Sequence, residues 1–143
     1  MSLASIFDIA GSGMNAQSVR LNTTASNIAN AESASSSTDE VYRGRHPVFS
    51  KALVNEMQGG MNLPQSSAIG VEVAGIVESD APLQQRYEPD HPLANEEGYV
   101  LYPNVNVVEE MTNMISASRS FQVNVEVMNS AKQMLQRTLT LGQ

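Results

Sequence analysis

Both ends of this chain carry stripes that repeat every seven residues. In residues 3–31 one stripe holds Phe7, Met14, Leu21 and Ile28, and a second holds Leu3, Ala10, Gln17, Thr24 and Ala31. Near the other end, Val107, Met114, Phe121, Met128 and Leu135 form one stripe, and Met111, Ser118, Val125, Lys132 and Leu139 another. Two stripes at this spacing mark a helix that needs a helical neighbour. A strict seven-residue period, rather than a free 3.6, favours a left-handed supercoil. The two ends therefore read as partners for each other or for further copies.

The terminal helices are bounded by recognisable signals. Ser2 can cap the first, which runs to about Asn30, and Gly11-Ser12-Gly13 marks close packing or a kink within it. Asn106 with Glu109 three residues later resembles a capping box for the second, with Gly142 as its stop near Leu141. Some 35 residues of helix span about 50 Å. That is long beside the ~15 Å radius of gyration of a domain of this size. Such a helix projects from the body or packs on something else.

Polar residues of the first helix are also unusual. Between Ile9 and Ala31 the only charge is Arg20; the rest include Asn15, Asn22, Thr23, Thr24, Ser26, Asn27 and Asn30. Solvent-facing helices normally carry Glu and Lys, whereas Asn, Ser and Thr are mediocre helix formers. This composition predicts a neutral surface meant for burial, with side chains able to pair across an interface.

The middle differs. Residues 32–103 hold eleven acids and four bases, which accounts for the whole net charge of −7. Glu32–Glu40 and Asn55–Ser67 read as loops, and Val41–Val54 as a short strand broken by Pro47. Gly70–Glu78 is the clearest strand, with a bulge at Gly75. Tyr87–Pro92 reads as rigid and extended because each residue before proline avoids the helical region. Glu96-Glu97-Gly98 is a turn, and Tyr99–Tyr102 a strand stopped by Pro103.

Several function classes drop out. The acidic balance without a basic cluster argues against nucleic-acid binding. There is no Cys, so no disulfide, thiolate ligand or thiol nucleophile. His46 and His91 lack metal-ligand spacing, and no nucleophile elbow or complete dinucleotide fingerprint occurs. No catalytic, cofactor or metal residue is assigned, and the expectation is a protein that is not an enzyme. The N-terminus lacks the charge and apolar run of a secretory signal peptide, and no stretch is long and apolar enough for a transmembrane helix.

The segments Arg20–Ala31, Asn104–Met111 and Ser116–Asn124 resemble the terminal signatures of bacterial flagellar axial proteins, the rod and hook family. Leu139–Gln143 and Gly98-Tyr99-Val100 fit the proximal-rod type. The resemblance implies a structural subunit: mainly α with a small β-rich insertion. The long N- and C-terminal helices pair as an antiparallel coiled coil over a short-strand middle domain. It divides the chain into 1–31 and 104–143, forming an inner tube domain, and 32–103, a middle domain. Expected assembly residues are Phe7, Met14, Leu21, Asn22, Asn27, Ile28 and Asn30 on the first helix. On the second they are Met111, Met114, Phe121, Val125, Met128, Leu135 and Leu139. Implied partners are copies of the chain, other rod subunits, the ring and export-gate junction and the distal rod, with no cofactor. The implied location is the periplasmic basal body, reached by flagellar type III export without a cleaved signal. Alternatives are another axial subunit or a helical export adaptor or chaperone.

Overall fold

The structure, a computed structural model, describes residues 3–53 and 69–141. The expectations for Ser2, Asn55–Ser67 and Gly142 lie outside the described residues. The elements run α1 (Leu3–Asn30), β1 (Arg45–Leu53), β2 (Ile69–Glu78), β3 (Gln84–Tyr87), β4 (Tyr99–Tyr102) and α2 (Val107–Leu141). Two long terminal helices thus enclose two small antiparallel strand pairs, β1–β2 and β3–β4.

α2 starts where its cap predicts. The Asn106 Oδ1 accepts from the Val108 and Glu109 backbone N–H groups at 3.1 and 3.4 Å, satisfying donors that a helix start leaves unpaired. Glu109 and Glu110 then occupy the first turn, where the helix dipole favours acids. Among the described elements α2 packs on α1 alone, while α1 also carries the β1–β2 ribbon. Contacts between the helices run in opposed chain order: Asn27 meets Glu110, Arg20 meets Asn113, and Gly13 faces Asn124.

Gly11-Ser12-Gly13 is a point of close packing on two sides of α1, which stays helical through it. A Cβ on Gly13 would sit 2.8 Å from the Asn124 amide of α2. The Ser12 hydroxyl accepts from the Val71 N–H at 3.1 Å and donates to the Ile9 carbonyl at 2.9 Å. It thereby pins the start of β2 to the helix. A Cβ on Gly70 would meet that same hydroxyl at 2.8 Å.

Two strand expectations are corrected. Pro47 does not break β1; it lies within the strand, opposite Ile76. A two-stranded ribbon leaves alternate N–H groups of each strand without a ladder partner, so proline is tolerated at such a position. The irregularity expected at Gly75 lies beside it: Val48 pairs with Gly75 and Phe49 with Val73, so Ala74 is the extra residue. The segment after Tyr87 is not extended. The Glu88 carbonyl accepts from His91 N–H at 3.1 Å, and the His91 carbonyl from Ala94 N–H at 3.0 Å. Pro89 and Pro92 each take the second position of a turn, where their fixed φ is favourable. The extended residue before each proline is the entry to a turn.

Gly98 closes the β3–β4 hairpin with φ 81°, and a Cβ there would lie 2.9 Å from the Tyr87 ring. Gly98→Ala should therefore cost about 1–2 kcal/mol, from backbone strain and the ring clash together. Gly75→Ala, which meets nothing within 4 Å, should stay within about 0.5 kcal/mol of the parent. Denaturant unfolding of the two variants, side by side, checks the contrast.

Candidate assembly interface

The end of α1 is held by one side chain. Asn27 is 1% exposed and uses all its amide valences. Its Nδ2 donates to the Arg45 carbonyl at 2.8 Å and to the Glu110 Oε2 at 2.9 Å. Its Oδ1 accepts from the Tyr42 hydroxyl at 2.8 Å and the Arg45 N–H at 2.9 Å. One amide thus joins α1, the entry to β1, and the first turn of α2. Glu110, only 4% exposed, also lies 3.5 Å from the Asn113 Nδ2. Asn113 in turn accepts from Arg20 at 3.1 Å. Around it, the Asn30 Nδ2 donates to the Ser26 carbonyl at 2.8 Å and the Arg45 guanidinium stacks 5.3 Å from the Tyr42 ring centre.

A second amide does similar work at the start of α2. The Asn104 Oδ1 accepts from Gly44 N–H at 2.8 Å, and its Nδ2 donates to the Ser79 and Ala81 carbonyls at 3.1 and 2.9 Å. Nearby, Ser35 bridges to Leu101, tying the serine-rich loop to β4. Burial lifts the Tyr102 phenol above its usual pKa, and the Glu88 carboxylate that accepts its hydrogen bond adds to the shift.

The helix seam differs from the predicted stripes. On α2 the buried positions are Glu110, Ala117 and Ala131, with Met114, Phe121, Asn124, Met128 and Leu135 half-buried between and beyond them. The first predicted stripe is therefore at the seam, but its companion lies one residue earlier than Met111, Ser118, Val125 and Lys132. Met111 and Leu139 are 53% and 71% exposed, and Val125 is half-buried. Of the residues predicted for the first helix, Ala10, Thr24, Asn27 and, just past the end of α1, Ala31 are buried, whereas Phe7, Met14, Leu21, Ile28 and Asn30 are half-buried and Asn22 is exposed. Small and polar residues let the backbones approach, so the large apolar side chains flank the contact. Asn27, also expected among the assembly residues, has its amide bonded wholly within its own chain. A pattern count cannot tell Ala117 or Asn124 from a surface residue, so sequence reasoning missed the seam-facing Glu110, Ala117 and Asn124. The i, i+7 spacing of these three was the available signal.

What remains outside is a run of large apolar side chains on α2: Val108, Met111, Ile115, Val123, Val127, Met134 and Leu139 are all exposed. Scattered apolar exposure is ordinary, but seven large apolar side chains exposed along one helix exceed scatter. Among the described residues no helix is long and apolar enough to cross a membrane.

Comparison with known proteins agrees with both ends of the fold. The family model described as flagella basal body rod protein matches residues 7–32, and that described as flagellar basal body rod FlgEFG protein C-terminal matches residues 96–141. The chain is similar to the flagellar basal-body rod protein FlgC of Escherichia coli O157:H7, 51% identical over 143 residues and the full length of both chains. It is 49% identical to FlgC of Salmonella typhimurium strain LT2, again over both full lengths. FlgC of Borreliella burgdorferi is 36% identical across all of this chain and 99% of that one.

Removing the Asn27 amide would leave the Tyr42 hydroxyl, the Glu110 carboxyl and both polar groups of Arg45 without that partner. Asn27→Ala should therefore destabilise the fold by about 2–4 kcal/mol. Asn27→Asp, which keeps the acceptor but loses both donors beside Glu110, should lose at least as much. Urea unfolding of the purified chain measures both.

Proposed function

The chain belongs to the FlgC family of flagellar basal-body rod proteins, structural subunits of the bacterial flagellar basal body, and from that premise we propose how it builds the rod. α1 and α2 pair as an antiparallel coiled coil. With residues 1–31 and 104–143 they make an inner tube domain, and residues 32–103 form an outer domain clamped to it through Asn27 and Asn104. Copies of the chain and other rod subunits add through the outward apolar side chains of α2 and the flanking residues Phe7, Met14, Leu21 and Ile28. Asn22 and Asn30 supply neutral polar contact at the same surface. Met114, Phe121, Val125, Met128 and Leu135 serve both sides, since each is half-buried by its own chain.

Such contacts join unlike surfaces, so they repeat without closing on a dimer and generate a helical tube. A tube of this kind carries torque along its wall and leaves a central passage for export. The same reading places the chain in the periplasm after type III export, between the ring and export-gate junction and the distal rod. The observation that carries it is the set of large apolar side chains along α2 that stay exposed among the described residues.

Met111 and Leu139 are exposed, so lysine at either leaves the fold of the single chain intact. Met111→Lys and Leu139→Lys should each lower incorporation into basal bodies and swimming in a strain lacking its own copy, by about tenfold or more. Circular dichroism should match the parent. Normal basal bodies from both variants would refute the uncovered apolar residues of α2 as the assembly surface.

A further inference from the structure

Beside the seam lies a cleft of about 350 Å³ lined by Arg20, Thr24, His46, Pro47, Phe49 and Asn113. Arg20 is the only charge of α1 between Ile9 and Ala31, and it is half-buried at this cleft. A guanidinium offers five donors. The contact it makes among the described residues is the one bond to Asn113, a neutral acceptor. The ion pairs among those residues are Arg45 with Glu78 and Arg86 with Glu32, so no described carboxylate pairs with Arg20. A partly desolvated cation on a stretch of helix otherwise uncharged from Ile9 to Asn30 calls for a carboxylate, and bidentate pairing suits arginine best.

We infer that this cleft receives the Glu126 carboxylate of a second copy of the chain; the inference rests on the subunit reading above. Glu126 is nine positions after the buried Ala117, two and a half helical turns, and so projects from the face of α2 opposite the seam. It is exposed and has no ion-pair partner among the described residues. The exposed Val123 and Val127 flank it, and exposed Phe49 with Pro47 line the cleft, so apolar rim meets apolar rim around the charge pair. Of the remaining acids of α2, Glu110 is buried on Asn27 and Glu109 lies in the first turn beside the cap. Within one chain the pair cannot form: Asn113, which holds Arg20, and Glu126 are thirteen residues apart, about 20 Å along α2. The contact therefore lies between copies, and it sets their register as well as adding attraction.

The test is a charge exchange in the full chain, expressed in a strain lacking its own copy, with incorporation into purified basal bodies as the readout. Glu126→Arg, a change at an exposed position, should lower incorporation about tenfold by setting two cations together. Arg20→Glu should do the same, and the double variant should return to within about threefold of the parent. Normal incorporation of Glu126→Arg, or a double variant no better than the worse single one, overturns the pairing. Because the chain has no Cys, a second arm uses Arg20→Cys with Glu126→Cys and a short bifunctional thiol cross-linker on intact basal bodies. A ladder of multimers of this chain is expected; monomers alone overturn the pairing even if Arg20→Glu proves unable to fold. Failure of the parent chain itself to enter basal bodies would instead refute the subunit reading.

Discussion

A single buried amide sets the geometry on which the rest of this subunit depends. Asn27 is asked to donate twice and accept twice, within a site closed to water. Only a carboxamide of that length has both functions on one planar group. An aspartate has no donor, and a leucine of similar volume leaves four polar groups stranded, each costing more than an average hydrogen bond contributes. Because the amide stands on α1 and its partners lie in the chain entering β1 and on α2, it fixes the angle at which the middle region leaves the helices. Asn104 repeats the device at the other junction, on Gly44, Ser79 and Ala81. The two junctions are specified by directed bonds, since apolar packing alone would tolerate rotation.

This division of labour explains what could be read from residues alone. The start of α2 was legible because capping is local: Asn106 needs only its own next turn. The strands at Gly70–Glu78 and Tyr99–Tyr102 were legible because alternation is local too, and the family resemblance lay in contiguous signatures at each end. The seam was legible only in period. The position of its second stripe depends on how near two backbones come, and Gly13 against Asn124 settles that through absence of a side chain. Close approach then places Glu110, Ala117 and Ala131 at the contact in place of Met111, Ser118 and Lys132, and for Glu110 over Met111 that is the reverse of what hydrophobicity suggests. β3 escaped notice because Gln84–Tyr87 is exposed throughout and takes its structure from β4.

Amide and hydroxyl residues of α1 fall into two groups that composition cannot separate. Thr23, Thr24 and Asn27 are buried within the chain, whereas Asn15 and Asn22 face outward. Both groups were expected to avoid charge, and for one physical reason: an ionised group at any contact that excludes water must bring a partner with it. Glu110 shows the rule inside the subunit, since it is accompanied by two amides. Arg20 stands as the exception whose charged partner is missing from its own described surroundings.

The large side chains displaced from the seam are then not a packing failure. A pair of helices held by small residues and directed polar bonds gains specificity but buries little apolar area, since each alanine offers far less surface than a methionine or phenylalanine. The apolar area it forgoes stays available on the outer side of α2, where it can be buried only by another molecule. A subunit with Leu at every seam position would hold its helices together more strongly and offer neighbours less. For a protein whose family builds a rod, weak internal closure and strong external contact are two consequences of one choice of residue size.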